Sequence, residues 1–195
     1  MSDYPLCYCL KNNMNEDKFV KRVTRLVKEV LPYKYIPVQK ANLYYQITVD
    51  NNLNVTVDPK KPVRGRSAFQ TDLCIFLKKG NVLLPKVVFE FKNSISTHDV
   101  ITYSNKAKRH KQIYPYLRYG LISYDISKIP KRFFIHNEGL DFYLTIKEHI
   151  DNVEIVLRNL IKEEVKISDV LESTIYGDKE YDFFRTTIEF KNVRE

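Results

Sequence analysis

Glycine and histidine are scarce in this chain of 195 residues, and tryptophan is absent altogether. The five glycines form no Gly-rich loop of the kind that holds the phosphates of a bound nucleotide. We therefore expect no nucleotide cofactor and no hydrolysis of nucleoside triphosphates. The four histidines show no metal-ligand spacing, which argues against a zinc site.

Long apolar segments and a cysteine framework are missing as well. No apolar run approaches the roughly 20 residues of a membrane-spanning helix, although 44% of the chain is hydrophobic. Residues 1–10 lack the basic start and the apolar core of a signal peptide. The three cysteines are Cys7, Cys9 and Cys74, and the first two are more consistent with reduced thiols than with a metal site. These features predict a cytoplasmic protein without membrane association, folded as one domain over residues 1–195.

Acidic residues are outnumbered by basic ones. The chain has 32 lysines and arginines against 24 aspartates and glutamates, and its formal net charge is +8. A basic chain of this size is typical of proteins that bind the phosphates of nucleic acids, although such a charge also favours solubility alone. The basic side chains that we expect to contact DNA lie in a loop and in a later helix: Arg64, Arg66, Lys106, Lys108, Arg109 and Lys111.

Hydrophobic periodicity predicts an α/β fold. Apolar residues recur at helical spacing from about residue 15 to residue 31, where Pro32 ends the pattern. Hairpins at 44–57 and 72–92 follow, and then a basic helix at about 97–117 and a buried strand at 119–124. A strand, a helix and a second strand in this order predict a right-handed βαβ crossover. For the remainder we predict a strand at 133–135, helices at 145–163 and 168–171, and a strand at 184–190.

The second hairpin brings two acidic residues together. If its turn lies near Gly80, the numbers of paired residues sum to about 161 or 162, so Asp72 lies opposite Phe89 or Glu90. Pro85 has no N–H to donate, so it marks a bulge or an unpaired edge position. A bulge would shift this register by one residue. Two like charges this close need a cation, a shared proton or open solvent. Our hypothesis is a divalent metal ion, and the alternative is a surface salt-bridge cluster.

An acid on one strand, Glu-x-Lys on the next, a polar helix and another strand together resemble the PD-(D/E)XK nuclease superfamily. The matching positions are Thr71-Asp72, with threonine in place of the family's proline, and Glu90-Phe91-Lys92. The resemblance covers residues 15–125 and implies a restriction-endonuclease-like core, which is a central mixed β-sheet flanked by helices. Residues from about 130 to 195 would form a C-terminal extension. Some members carry a further acid on the first helix, and Glu29 is the residue that would match it here.

The resemblance implies a metal-dependent DNA endonuclease that hydrolyses phosphodiester bonds, in one version a type II restriction enzyme acting as a homodimer. Mg²⁺, or Mn²⁺ in its place, would bind Asp72, Glu90, the backbone carbonyl of Phe91 and, as a further candidate, Glu29. Lys92 would orient the attacking water or stabilise the charge of the transition state. Two alternatives are a non-catalytic nucleic-acid-binding protein of the same fold and an RNA-directed nuclease. A role in restriction, repair, recombination or a mobile element is left open.

Overall fold

The computed structural model describes residues 16–58, 60–147, 152–178 and 181–182. Its helices are α1 (Glu16–Val30), α2 (Thr97–Ile113), α3 (Lys131–His136) and α4 (Val153–Tyr176). Its strands are β1 (Tyr35–Gln39), β2 (Asn42–Tyr44), β3 (Ala68–Gln70), β4 (Leu73–Lys79), β5 (Val82–Lys92), β6 (Arg118–Ser123) and β7 (Phe142–Thr145). Within these ranges no helix has the length and apolar character of a membrane span. The predicted strand at 184–190 lies outside the described residues.

A five-stranded mixed sheet forms the centre of the fold, with the strand order β1-β4-β5-β6-β7. β4 is antiparallel to both β1 and β5, whereas β6 is parallel to both β5 and β7. The α2 helix connects the parallel strands β5 and β6, as the predicted crossover requires. β2 and β3 form a separate two-stranded sheet. The prediction of an α/β fold with a central mixed sheet and flanking helices is therefore confirmed.

Helices cover both faces of the central sheet, and each face has its own hydrophobic core. α1 and α4 pack against one face, and α2 and α3 pack against the other. Because side chains alternate along a strand, Phe89 and Phe91 enter the first core while Val88 enters the second. Glu90 and Lys92 consequently face α2.

A β-bulge interrupts the pairing of β4 with β5, as Pro85 predicts. The register shifts by one residue at Lys86, which has no partner on β4. Beyond the bulge, Leu73 pairs with Phe89. If this register continues by one residue, Asp72 lies opposite Glu90, so the two candidate acids are side by side.

The α2 helix has clear boundary signals. The Ser96 side chain accepts a hydrogen bond from the Asp99 N–H, and the Asp99 carboxylate accepts one from the Ser96 N–H, which together form a capping box. Periodicity extends the predicted helix to residue 117, but the helix ends at Ile113. The reason is that Tyr114 precedes Pro115, and a residue before proline is disfavoured in the α conformation.

The predicted hairpin at 44–57 is only partly present. Its turn forms, because the Asp50 carboxylate accepts hydrogen bonds from two backbone N–H groups of the turn. An isolated bridge between Val49 and Val55 stands in place of the predicted ladder. Both valines are more than half exposed, at 55% and 54%, so no core holds these strands together.

Two elements of the C-terminal part differ from the prediction. Residues 133–135 belong to helix α3 and not to a strand, because a run of three apolar residues does not distinguish a strand from a helix. The helix predicted at 145–163 corresponds to α4, which begins later, at Val153. Residues 142–145 form β7 instead. α4 extends to Tyr176 and includes the short helix predicted at 168–171.

Candidate active site

Asp72 and Glu90 meet at the end of the β4–β5 hairpin. The N–H of Asp72 donates to Glu90 Oε2 at 3.2 Å, and the N–H of Phe91 donates to Asp72 Oδ2 at 2.9 Å. Each carboxylate therefore accepts a hydrogen bond from the backbone segment that carries the other one. The structure thus brings together the two acids that the hairpin register places opposite each other.

Glu90 is almost completely buried, with an exposed fraction of 1%. Its Oε1 accepts hydrogen bonds from Lys106 Nζ at 2.7 Å and from Tyr119 Oη at 2.5 Å. Burial raises the pKa of Glu90 to about 7, with the Lys106 charge opposing the increase and the Asp72 charge adding to it. Without a further cation, this carboxyl group takes up a proton near neutral pH.

Lys106 approaches the buried acid from α2, and Lys92 lies on β5 two residues beyond Glu90. Lys106 is ion-paired with Glu90 and also donates to the carbonyl oxygen of Gln70 at 3.2 Å. Lys92 and Lys106 share the ring of Tyr103, whose centroid lies 5.7 Å and 5.2 Å from their ammonium nitrogens. Sequence spacing did not indicate the contact of Lys106 with Glu90, because that contact depends on how α2 packs over β5.

The first helix contributes a third acid to this region, and it is Glu16 rather than Glu29. Partial burial raises the pKa of Glu16, the Asp72 charge raises it further, and the Lys92 charge opposes both effects. Glu29 lies at the opposite end of α1, about 20 Å along the helix axis, and forms an ion pair with Arg158 at 2.5 Å. The structure therefore does not bring Glu29 to the site. Sequence reasoning missed Glu16 because an acid in a first turn is ordinarily assigned to the helix dipole.

The donor set suits a hard divalent cation. Asp72 and Glu90 would supply carboxylate oxygens and Phe91 a backbone carbonyl, and Mg²⁺ and Mn²⁺ prefer oxygen ligands. The raised pKa of Glu90 is a second indication, because a cation beside it would relieve the unfavourable burial of its charge. Among the residues that the structure describes, no cluster of three or more His, Cys, Asp or Glu side chains is arranged to hold a metal. Waters and a phosphate oxygen would therefore complete the coordination.

An aromatic layer lies behind Glu90 and positions its hydrogen-bond donor. The rings of Tyr119 and His110 are stacked with their centroids 5.7 Å apart. His110 Nδ1 donates to the carbonyl oxygen of Tyr44 at 2.7 Å. Burial lowers the pKa of His110 to about 4, so the imidazole is neutral at pH 7. His110 is thus a packing partner of Tyr119 and not a cationic contact for phosphate.

The basic residues predicted to contact DNA are not equally available. Lys106 and Lys111 are held by the buried or half-buried acids Glu90 and Asp141, at 2.7 Å and 2.9 Å. The remaining four have exposed side chains on the loop before β3 and on α2: Arg64, Arg66, Lys108 and Arg109.

Comparison with known proteins does not assign the chain to a family. No protein-family model matches the sequence, and a search of curated proteins finds no match. The chemistry of the site therefore has to be argued from the arrangement of its two carboxylates and two lysines.

Proposed function

We propose that the chain is a Mg²⁺-dependent nuclease that hydrolyses the phosphodiester bonds of DNA. The observation that carries the proposal is the convergence of Asp72 and a buried Glu90 at the end of two central strands, beside Lys106. Lys92 lies over the same tyrosine ring as Lys106. Two carboxylates held side by side on paired strands repel each other, and a bound cation relieves the repulsion. A salt bridge that served stability alone would gain little from a carboxylate that is 1% exposed with a second acid beside it.

The order of the elements supports the same proposal. In chain order, and apart from the small β2–β3 sheet, α1 is followed by β1, the β4–β5 hairpin, α2 and β6. This order agrees with the helix, hairpin, helix and strand that the PD-(D/E)XK resemblance implies for a restriction-endonuclease-like core. Asp72 directly precedes β4, and Glu90 and Lys92 end β5, which are the motif positions of that resemblance.

Each residue of the site has a distinct role in the proposal. Asp72, Glu90 and the Phe91 carbonyl would hold Mg²⁺, or Mn²⁺ in its place. When bound, the ion would polarise the phosphodiester and lower the pKa of a water molecule. Lys92 donates to the scissile phosphate or to the attacking water, and its charge stabilises the negative charge of the transition state. Lys106 keeps Glu90 ionised and oriented.

DNA binding and dimer formation complete the proposal. Exposed cations such as Arg64, Arg66 and Arg109 contact phosphates without reading sequence. A duplex has two strands to cut, so a homodimer that presents two sites is part of the proposal. A type II restriction enzyme is one role that fits such a dimer.

Nicking of supercoiled plasmid DNA by the wild-type chain tests the proposal. We expect nicked and linear products with Mg²⁺ or Mn²⁺ and no cleavage with EDTA. The second candidate function, a non-catalytic nucleic-acid-binding protein, is favoured by the same exposed basic surface. Salt-sensitive DNA binding without cleavage in either metal would establish it instead. Cleavage of single-stranded RNA but not of DNA would identify the RNA-directed alternative.

Substitution of the two lysines should separate catalysis from positioning. We expect Lys92→Met to lower the cleavage rate about 100-fold at every pH, because a charge beside the reacting phosphate is lost. Lys106→Met should instead move the acid limb of the pH–rate profile to higher pH, because the Lys106 charge lowers the pKa of Glu90. Initial cleavage rates measured between pH 6 and pH 9 distinguish the two effects.

Lys147→Met is the matched control for both variants. Lys147 follows β7, is not among the residues predicted to contact DNA, and forms an exposed ion pair with Asp125 at 3.4 Å. Because exposed pairs contribute little, its cleavage rate should remain within about twofold of the wild-type rate. A pH profile that is unchanged in Lys106→Met would refute the positioning role of Lys106.

A further inference from the structure

We propose that an open cavity beside the candidate active site binds one unpaired nucleotide of the DNA substrate, an inference that rests on the proposed nuclease function. The cavity has a volume of about 340 Å³, which lies within the range of roughly 300–1,000 Å³ that is typical of ligand pockets. It lies between the small β2–β3 sheet, the loop before β3 and helix α2. The residues that define its chemistry are Tyr45, Arg64, Phe69, Gln70 and Lys106.

An aromatic pair forms one wall of the cavity. The rings of Tyr45 and Phe69 are stacked, with centroids 3.9 Å apart and an angle of 16° between their planes. Both side chains are half-buried. The guanidinium group of Arg109, an exposed side chain, lies 5.8 Å from the Tyr45 ring centroid. Aromatic rings and arginine planes are the protein groups on which unstacked nucleobases stack.

The remaining walls carry polar groups that suit a nucleotide. Arg64 Nη1 lies 3.5 Å from the side-chain oxygen of Gln70. A guanidinium group binds phosphate oxygens, and a side-chain amide both donates to and accepts from base edges. Among the described residues that line the cavity, none is acidic. The cavity is therefore cationic as well as aromatic, which fits a ligand with a planar base and a negative charge.

Lys106 connects the cavity to the Glu90 carboxylate. Its ammonium nitrogen lies 2.7 Å from Glu90 Oε1 and 3.2 Å from the carbonyl oxygen of Gln70. A nucleotide in the cavity thus contacts the same lysine that orients Glu90. Phe69 also packs edge to face against His110, with centroids 5.9 Å apart. The aromatic layer behind Glu90 therefore continues into the wall of the cavity.

The concave shape determines which form of DNA fits. A paired base is stacked between its neighbours, so it enters a cavity only after it has left the helix. An unpaired base requires much less free energy for the same movement. The preferred substrate therefore contains an unpaired nucleotide next to the cleaved bond, as in a bulge, a flap or a single-stranded end.

Binding in the presence of EDTA tests this proposal without cleavage. Fluorescence anisotropy would compare a fully paired duplex, the same duplex with one unpaired thymidine, and a third with an abasic site in place of that thymidine. The wild-type chain should bind the unpaired thymidine duplex about tenfold more tightly than the abasic duplex, because one stacked base contributes an effect of this size. Equal affinities for these two duplexes would overturn the proposal.

Variants of the aromatic wall make the test specific. Tyr45→Leu should abolish the preference for the unpaired base, whereas Tyr45→Phe should retain it because the ring is kept. Tyr33→Leu is the matched control, since Tyr33 is 98% exposed and does not line the cavity. Thermal unfolding shows whether each variant is folded. A folded Tyr45→Leu variant with the wild-type preference would refute the proposal.

A second pair of variants keeps the proposal testable if Tyr45→Leu does not fold. Arg64→Gln should weaken binding of the unpaired thymidine duplex about fivefold, because one hydrogen bond to a charged group is lost. Arg66→Gln is the charge-matched comparison, since Arg66 lies in the same loop and is exposed outside the cavity. Loss of this general phosphate contact should weaken binding of the paired and the unpaired duplex by the same factor, whereas Arg64→Gln should weaken binding of the unpaired duplex more. Equal ratios of the two affinities in the two variants would also overturn the proposal.

The cavity proposal and the nuclease proposal can be refuted separately. Mg²⁺-dependent cleavage of plasmid DNA without any preference for the unpaired base would overturn the cavity proposal and leave the nuclease proposal intact. A base preference that depends on Tyr45, together with no cleavage in Mg²⁺ or Mn²⁺, would support the nucleotide site and overturn the nuclease.

Discussion

Replacement of Glu90 by glutamine should lower the rate of Mg²⁺-dependent DNA cleavage at least about 1,000-fold, because a catalytic metal contributes several kcal/mol to the transition state. Glutamine has nearly the same shape as glutamate, and its oxygen still accepts hydrogen bonds from Lys106 and Tyr119, which contact Glu90 Oε1. Its NH₂ group takes the place of Oε2, so the hydrogen bond from the Asp72 N–H is lost. The substitution therefore removes the charge of the ligand and one hydrogen bond but keeps its volume. Initial rates of plasmid nicking at saturating Mg²⁺ measure the effect.

The same variant should be more stable than the wild-type chain at pH 8 without metal. Burial raises the pKa of Glu90 from 4.5 to about 7. The stability that this group contributes is therefore complete below pH 4.5 and is lost as the pH rises through about 7. A pKa difference of this size corresponds to roughly 3 kcal/mol. That value is the largest increase in the free energy of unfolding that we expect for Glu90→Gln at pH 8 in EDTA.

Denaturant unfolding at pH 5 and pH 8 measures this difference. His110, whose pKa burial lowers from 6.5 to about 4, destabilises both proteins equally as the pH falls through that range, so it cancels in the comparison. Mg²⁺ should raise the melting temperature of the wild-type chain at pH 8 and leave that of the variant unchanged. The two measurements together separate loss of a metal ligand from loss of folding.

Glu164→Gln is the matched control for Glu90→Gln. Glu164 is a second buried glutamate, 6% exposed, and its partner is Arg118 at 2.7 Å. Its replacement should leave the cleavage rate and the response of the melting temperature to Mg²⁺ close to those of the wild-type chain. Undiminished cleavage by Glu90→Gln, or a rise in its melting temperature with Mg²⁺, would contradict the assigned role of Glu90.

Replacement of Lys86 by methionine should lower the free energy of unfolding by about 3 kcal/mol, because the acids around a buried lysine lose their shared cation. Lys86 is the fully buried residue of the β5 bulge, and its Nζ lies 2.7 Å from Glu172 Oε2 and 2.9 Å from Asp169 Oδ1. Asp169 Oδ1 has no aligned hydrogen-bond donor among the described residues. The Glu172 contact is therefore the stronger of the two. Methionine fills a similar volume, so denaturant unfolding reports on the charges.

Lys79→Met is the control that separates the effect of burying a lysine from the effect of removing its charge. Lys79 contacts the same Glu172 at 2.5 Å, but its side chain is 56% exposed, so its loss should cost less than about 1 kcal/mol. A triple variant with Lys86→Met, Asp169→Asn and Glu172→Gln should recover most of the lost stability, since no uncompensated charge remains. Equal losses for Lys86→Met and Lys79→Met would show that burial of the lysine is not the cause.

Local patterns in the sequence were sufficient to predict the hairpin that carries the two acids. The Gly80 turn limits the register to pairs whose numbers sum to about 161 or 162, and the pair formed by Leu73 and Phe89 shows that 162 applies beyond the bulge. Both acids belong to one hairpin, so their contact depends only on hydrogen bonds between neighbouring strands. The long periodic helices α1 and α2 were predictable for the same reason, since each repeats its apolar face over several turns.

Short or weakly buried segments were not predictable in this way. Residues 133–135 contain too few apolar positions for a period to be recognised, and they fold as part of a helix. The alternating residues at 44–57 have the composition of strands, but only an isolated bridge between Val49 and Val55 forms there. A strand pattern becomes a sheet only where a hydrophobic core is available to cover one face.

The sequence by itself determined the α/β class, a hairpin that places Asp72 opposite Phe89 or Glu90, and the basic character of the chain. Only the tertiary structure decided that Lys106 is the cation at Glu90 and that the near end of α1 brings Glu16 to Asp72. It also decided that three separate segments enclose one cavity. The physical reason is that the register of a hairpin is set by hydrogen bonds between residues that are close in the chain. Helix packing instead sums many weak apolar contacts between distant residues, and no spacing within one segment encodes that sum.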